Sequence, residues 1–77
     1  MIKEHDRVVI TSDIPTLHLM RGDVGTVVMV HRGGEGYEVE FITLQGDTIG
    51  VETLRASQVR AIKRNEIAQA RAIRAVQ

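Results

Sequence analysis

The chain contains no cysteine, no tryptophan and only one proline in 77 residues. Without cysteine there can be no disulfide bond, thiolate zinc site or cysteine nucleophile. No apolar run approaches the roughly 20 residues that a membrane-spanning helix needs, and the first residues lack the apolar segment of a signal peptide. We therefore expect a soluble, cytoplasmic protein that has no membrane partner.

The formal net charge is zero, but the charges are unevenly distributed along the chain. Residues 1–62 carry nine acidic and six basic side chains, whereas residues 63–77 carry four basic side chains and one acidic. The two parts can therefore attract each other, within one chain or between copies. A single domain of this size buries only about 60% of the surface that its unfolded chain exposes, so we expect a second subunit to contribute.

Short runs of β-branched residues alternate with turn residues and predict a mainly β fold. A long valine-rich strand follows Gly22, and the three glycines within residues 32–36 predict a hairpin turn. In the next strand Tyr37, Val39 and Phe41 alternate with glutamates, which predicts that one face lies in the core. The five predicted strands cover residues 6–11, 23–31, 37–41, 48–53 and 59–61.

The second strand carries apolar side chains at both even and odd positions. Val27 and Met29 have one parity, and the other valines of this strand have the opposite parity. A strand with one wet face should alternate, so this strand is predicted to be covered on both faces. In the fourth strand, Gly50 indicates a bend or a bulge.

The composition changes after residue 62, where glycine and proline vanish and alanine, arginine and glutamine become frequent. This change predicts an amphipathic helix within residues 63–77. Its apolar side is predicted to consist of Ile62, Ala70, Ile73 and Val76, with the basic residues opposite, around Ile67. The expected architecture is a five-stranded SH3-like barrel over residues 1–62 with a C-terminal α-helix over residues 63–77, in a single domain.

Five sequence blocks are similar to those of a known family. They are residues 6–9 (DRVV), 13–15 (DIP), 22–28 (GDVGTVV), 37–41 (YEVEF) and 56–60 (ASQVR). Together they resemble a bacterial family known only as a domain of unknown function, number forty-nine twenty-six. The resemblance covers roughly residues 5 to 60, and it implies a small SH3-like barrel with no established activity and no catalytic residues to carry over. The segment after Arg60 lies outside the pattern of that family.

No catalytic or metal-binding motif is present in the sequence. His5, His18 and His31 are spaced thirteen residues apart, which matches no metal-ligand motif. Asp23 lies inside the glycine-rich turn, where its negative charge disfavours a phosphate. The nucleophile motif G-x-S-x-G is absent, and the outward carboxylates of the strands are typical of a solubilising surface. We therefore predict a protein that is not an enzyme and that holds no metal or cofactor.

The preferred function is a binding or assembly module whose partner is a second copy, in a homodimer or homotetramer, or another protein. Both the second strand and the C-terminal segment need a covering surface. The predicted interface consists of Val27, Met29, Ile62, Ile67, Ala70, Ile73 and Val76.

Two alternatives remain open. The first is nucleic-acid binding through Arg64, Arg71 and Arg74, although four basic residues are few for phosphate-driven affinity and both aromatic residues point to the predicted core. The second is a small-molecule site or weak enzyme in a cleft between the loop after the first strand and the turn after the third. That cleft would use Asp13, His18 and Glu40.

Overall fold

The protein folds into one antiparallel sheet of five strands. The structure, a computed structural model, describes residues 1–74. The strands are β1 (Arg7–Ile10), β2 (Val24–His31), β3 (Gly36–Ile42), β4 (Thr48–Arg55) and β5 (Val59–Ala61), and they lie in the order β4-β3-β2-β1-β5. Single turns of 3₁₀-helix occur at Pro15–Leu17 and Ala56–Gln58, in the β1–β2 and β4–β5 connections. The predicted mainly β fold is confirmed, and this strand order is compatible with an SH3-like barrel.

The core lies on the inner face of the curved sheet. Its most deeply buried side chains, each less than 2% exposed, are Val8, Ile10, Val27, Val39 and Phe41. Burying one such side chain contributes about 1.5–3 kcal/mol relative to leaving it in water. Tyr37 also lies in the core, so the prediction that the third strand turns both aromatic residues inward is confirmed.

A bulge in β2 interrupts the alternation of its side chains. Val27 pairs with Val39 and Met29 pairs with Glu38, so Val28 is an extra residue. An extra residue breaks the period of two at that point. As a result Val27 is buried, whereas Val28 and Met29 are 39% and 49% exposed on the opposite face. The prediction that Val27 and Met29 share one side of the strand is therefore wrong.

A second bulge lies at the start of β4. Phe41 pairs with Gly50 and Ile42 pairs with Thr48, so Ile49 is the extra residue. This irregularity confirms the bend or bulge predicted from Gly50. Ile49 packs against the core, and the strand beyond it regains its alternation.

The predicted C-terminal α-helix is wrong for the residues that the structure describes. Residues 62–74 contain turns and irregular backbone but no α-helix, and all except Ile73 are exposed. An alanine-rich helix of this length is marginal alone in water, so contacts with the barrel decide the conformation. The last three residues, which include the predicted interface residue Val76, lie outside the described part of the chain. Within residues 1–74, no helix is long and apolar enough to cross a membrane.

Candidate interaction surface

The outer face of the sheet is built by alternate residues of β3 and their partners on β4. Glu38 pairs with Thr53, and Glu40 pairs with Val51. Tyr37, Val39 and Phe41 occupy the intervening positions of β3 and point into the core, so these pairs must project outward. The outer face is therefore acidic along β3, with apolar side chains on the strands at either side.

Glu38 makes polar contacts with both neighbouring strands. The Glu38 carboxylate lies 2.7 Å from His31 Nε2 and accepts a hydrogen bond of 2.7 Å from the hydroxyl of Thr53. The bond to His31, followed by the bond to Thr53, holds the pKa of Glu38 below its usual value of 4.5. Glu38 is thus satisfied within its own chain, next to the exposed Met29.

The end of the face that is nearer to the β3–β4 turn is apolar and lies beside an open edge. The β3–β4 hairpin exposes three large apolar side chains, Ile42, Leu44 and Val51, to between 50% and 79%. We call these three residues the hairpin patch. Strand β4 pairs only with β3, and apart from that ladder residues 48–54 form no backbone hydrogen bond within the described chain. An eight-residue edge that offers free N–H and C=O groups is a template for another strand.

The segment after β5 is held against the sheet and its connections by two ion pairs. Arg60 donates two hydrogen bonds to the Glu66 carboxylate, at 2.9 and 2.7 Å, and the backbone N–H of Lys63 donates a third at 2.7 Å. These bonds, led by those from Arg60, lower the pKa of Glu66 to about 2. Farther along, Arg71 pairs with Asp23, and this pairing raises the pKa of Arg71.

The turn before β2 uses Asp23 for two purposes. Its carboxylate accepts a hydrogen bond of 2.8 Å from the backbone N–H of Met20, which closes the turn, and it also receives the guanidinium of Arg71. These contacts tie the turn before β2 to a residue 48 positions farther along the chain.

The residues of the predicted cleft are only partly brought together. Asp13 and His18 line one shallow groove, together with Arg71 and Arg74. Glu40 is not among the residues that line this groove, and it lies on the outer face of β3. The prediction of a ligand site there stays a prediction.

The predicted interface residues are spread over different environments. Val27 is fully buried in the core, so it has no surface to offer a partner. Met29 and Ile62 are about half exposed, Ile67 is almost fully exposed, and Ala70 is exposed. Ile73 packs against the core of its own chain. The hairpin patch was not predicted from the sequence. The sequence does contain a sign of it, because two apolar residues, Ile42 and Leu44, lie next to a predicted turn.

The predicted nucleic-acid residues do not form one surface. Arg71 is engaged by Asp23, and Arg74 lies beside it in the groove that also contains Asp13. Arg64 is exposed but is not among the residues lining that groove. Among residues 1–74, no group of three or more histidine, aspartate or glutamate side chains is placed to hold a metal ion.

The family profile described as "Domain of unknown function (DUF4926)" matches residues 4–61 of the chain. That match spans all five strands. The chain belongs to this family. The DUF4926 region ends with β5, so the two ion pairs of the tail involve residues beyond it. Searches of curated proteins and of solved structures returned no match.

Proposed function

We propose that this protein is a non-enzymatic assembly module that associates with a second copy of itself through the β3–β4 hairpin. The observation that carries the proposal is the hairpin patch next to the open edge of β4. Exposed apolar side chains that are grouped on one element favour a contact with another protein surface. The core of the domain is small, so contact with a second subunit would add buried apolar surface.

The location of the contact differs from the one expected from sequence. Val27 is occupied by its own core, and the predicted helix is absent from the described residues. Met29 remains exposed, but it neighbours Glu38, whose carboxylate is already satisfied by His31 and Thr53. The hairpin patch combines apolar surface with backbone groups that a partner strand can bind, so it supports a contact better than the β2 side does.

The test is the molar mass of the full chain, measured by multi-angle light scattering over a concentration series up to about 1 mM, a range that detects weak association. Val51→Lys should weaken association by roughly tenfold or more, because it places a charge in the apolar contact. Met29→Lys is the matched control, since Met29 is 49% exposed and Val51 is 50% exposed on the same face of the sheet. Met29→Lys should leave the association unchanged.

Two results would overturn the proposal. One is a monomeric mass for the unmodified chain at every concentration. The other is dissociation by Met29→Lys but not by Val51→Lys, which would move the contact to β2. Circular dichroism of each variant must show the same β signal as the unmodified chain, so that a change in mass reports the contact rather than unfolding.

A further inference from the structure

We propose that two copies join by antiparallel pairing of their β4 strands, with Val51 of one copy opposite Val51 of the other. This inference rests on the proposed self-association and specifies its geometry. The resulting sheet would contain ten strands, five from each copy. A two-fold axis perpendicular to the sheet passes between the two Val51 residues, which is the symmetry of most homodimers.

The two ends of the sheet differ in what they offer to a partner strand. β5 has only three residues, whereas β4 has eight and contains no proline. Natural sheets limit edge pairing by keeping edge strands short or by adding lysine or proline. β5 satisfies the first of these conditions. β4 is longer and has neither lysine nor proline, and its bulge at Ile49 lies near its start, so residues 50–55 form a regular edge. The edge of β4 is therefore the better template within the described chain.

The sequence of β4 restricts the position of the two-fold axis. An axis at Glu52 would place two glutamates directly opposite each other, which is destabilising. An axis at Gly50 would put the bulges at Ile49 of both copies near the centre of the pairing. An axis at Thr53 would shorten the overlap, because β4 ends at Arg55.

An axis at Val51 moves the bulges two residues away from the centre and keeps an overlap of residues 48–54. It places Glu52 of each copy opposite Gly50 of the other, where there is no side chain to oppose the carboxylate. It also brings Arg55 at the end of one strand close to Asp47, which immediately precedes the other strand. Directly opposed and diagonal side chains are both within reach of a long arginine. Neither Arg55 nor Asp47 forms an ion pair within residues 1–74, so both are available for this contact.

Cysteine cross-linking tests the pairing directly, because the natural chain contains no cysteine. Val51→Cys should form a covalent dimer under mild oxidation. Facing residues in antiparallel strands have Cα atoms about 4.5 or 5.5 Å apart, which is within the range that a disulfide spans. Thr53→Cys is the matched control on the same face. It would lie about 14 Å from its symmetry mate, since the two positions are offset by four residues of about 3.3 Å each along strands about 4.8 Å apart, and it should not cross-link.

Charge exchange tests the register independently. Asp47→Arg alone should weaken dimerisation roughly fivefold or more, because it places two arginines together at each end of the pairing. Combining it with Arg55→Asp should restore the affinity to within about threefold of the unmodified chain, since the attraction is then only reversed in direction. The expected results are therefore cross-linking at residue 51 but not 53, and rescue by the double exchange.

The outcomes separate the two proposals. If the unmodified chain is monomeric, both the proposed function and the strand pairing are wrong. If it dimerises and Val51→Lys dissociates it, but Val51→Cys does not cross-link, then the hairpin contact stands and the β4 pairing is wrong. If Thr53→Cys cross-links in preference to Val51→Cys, the position of the axis is wrong.

Discussion

Gly25 is the position at which a single added methyl group should have the largest effect. A Cβ atom at this residue would lie 2.6 Å from Cγ1 of Val39 and 2.7 Å from Cε1 of Phe41. Both neighbours are almost completely buried, so neither can move toward solvent. The Cβ would also lie 3.0 Å from the backbone oxygen of Glu40, which the β-ladder holds in place.

The expected cost of Gly25→Ala follows from these contacts. Overpacking a core destabilises a protein by about 1–3 kcal/mol. Replacing glycine by alanine also lowers the conformational entropy of the unfolded chain, which stabilises the fold by about 0.4–1 kcal/mol where alanine is tolerated. With two contacts below 3 Å we expect the upper part of this range to apply, and hence a net loss of about 2 kcal/mol. A domain of this size has a total stability of roughly 4–12 kcal/mol, so the loss is large. The melting temperature should fall by roughly 8–16 °C.

Gly50→Ala is the matched control, because it also adds a methyl group to a strand glycine. There the three atoms nearest to the new Cβ all belong to the side chain of Leu17, the closest two at 3.1 and 3.2 Å. Leu17 is partly exposed in the β1–β2 connection and can shift, so the loss should stay below about 1 kcal/mol. Urea unfolding followed by circular dichroism measures both variants.

A double-mutant cycle identifies the cause of the Gly25→Ala effect. Val39→Ala removes Cγ1, the nearest of the three atoms that the new Cβ would contact, so the double variant should lose less stability than the sum of the two single variants. The reasoning would be refuted if Gly25→Ala changed the unfolding free energy by less than about 0.5 kcal/mol, which is the usual size of a surface effect. The reasoning would also be refuted if the effects of Gly25→Ala and Val39→Ala on the unfolding free energy were strictly additive.

Two further predictions concern the segment after β5. Asp23→Asn removes the charge that pairs with the partly exposed Arg71, so it should cost less than about 1 kcal/mol of stability, yet lower the backbone NMR order parameters of residues 68–74. Asp13 forms no ion pair in the described chain, so Asp13→Asn should leave those order parameters unchanged, and equal order parameters in both variants would contradict the role of Asp23. The Glu66 carboxyl should titrate near pH 2 by NMR and move toward 4.5 in Arg60→Gln. Because the pKa of Glu66 is lowered in the folded state, the Arg60–Glu66 pair stabilises the fold above about pH 4.5, and this stabilisation is lost as the pH falls toward 2. A titration midpoint near 4.5 for Glu66 in the unmodified chain would contradict this prediction.

The sequence by itself determined the strands and much of the core. Runs of β-branched residues bounded by glycine and proline favour strands, and the alternation of Tyr37, Val39 and Phe41 with glutamates can place only one face inward. The bulge in β4 was also predictable, because Gly50 interrupts an otherwise regular strand.

Only the tertiary structure decided which side chains remain outside. The extra residue Val28 in β2 separates Val27 from Met29, and no local pattern marks that position, because the bulge is defined by pairing with β3. The conformation of residues 62–74 also depends on distant partners. Their alanine-rich composition favours a helix, but intrinsic helix propensity is weak, and the contacts of Arg71 with Asp23 and of Ile73 with the core prevail. Strand pairing also decides that β4 has an open edge, because β4 pairs only with β3 and the sequence alone does not show the strand order.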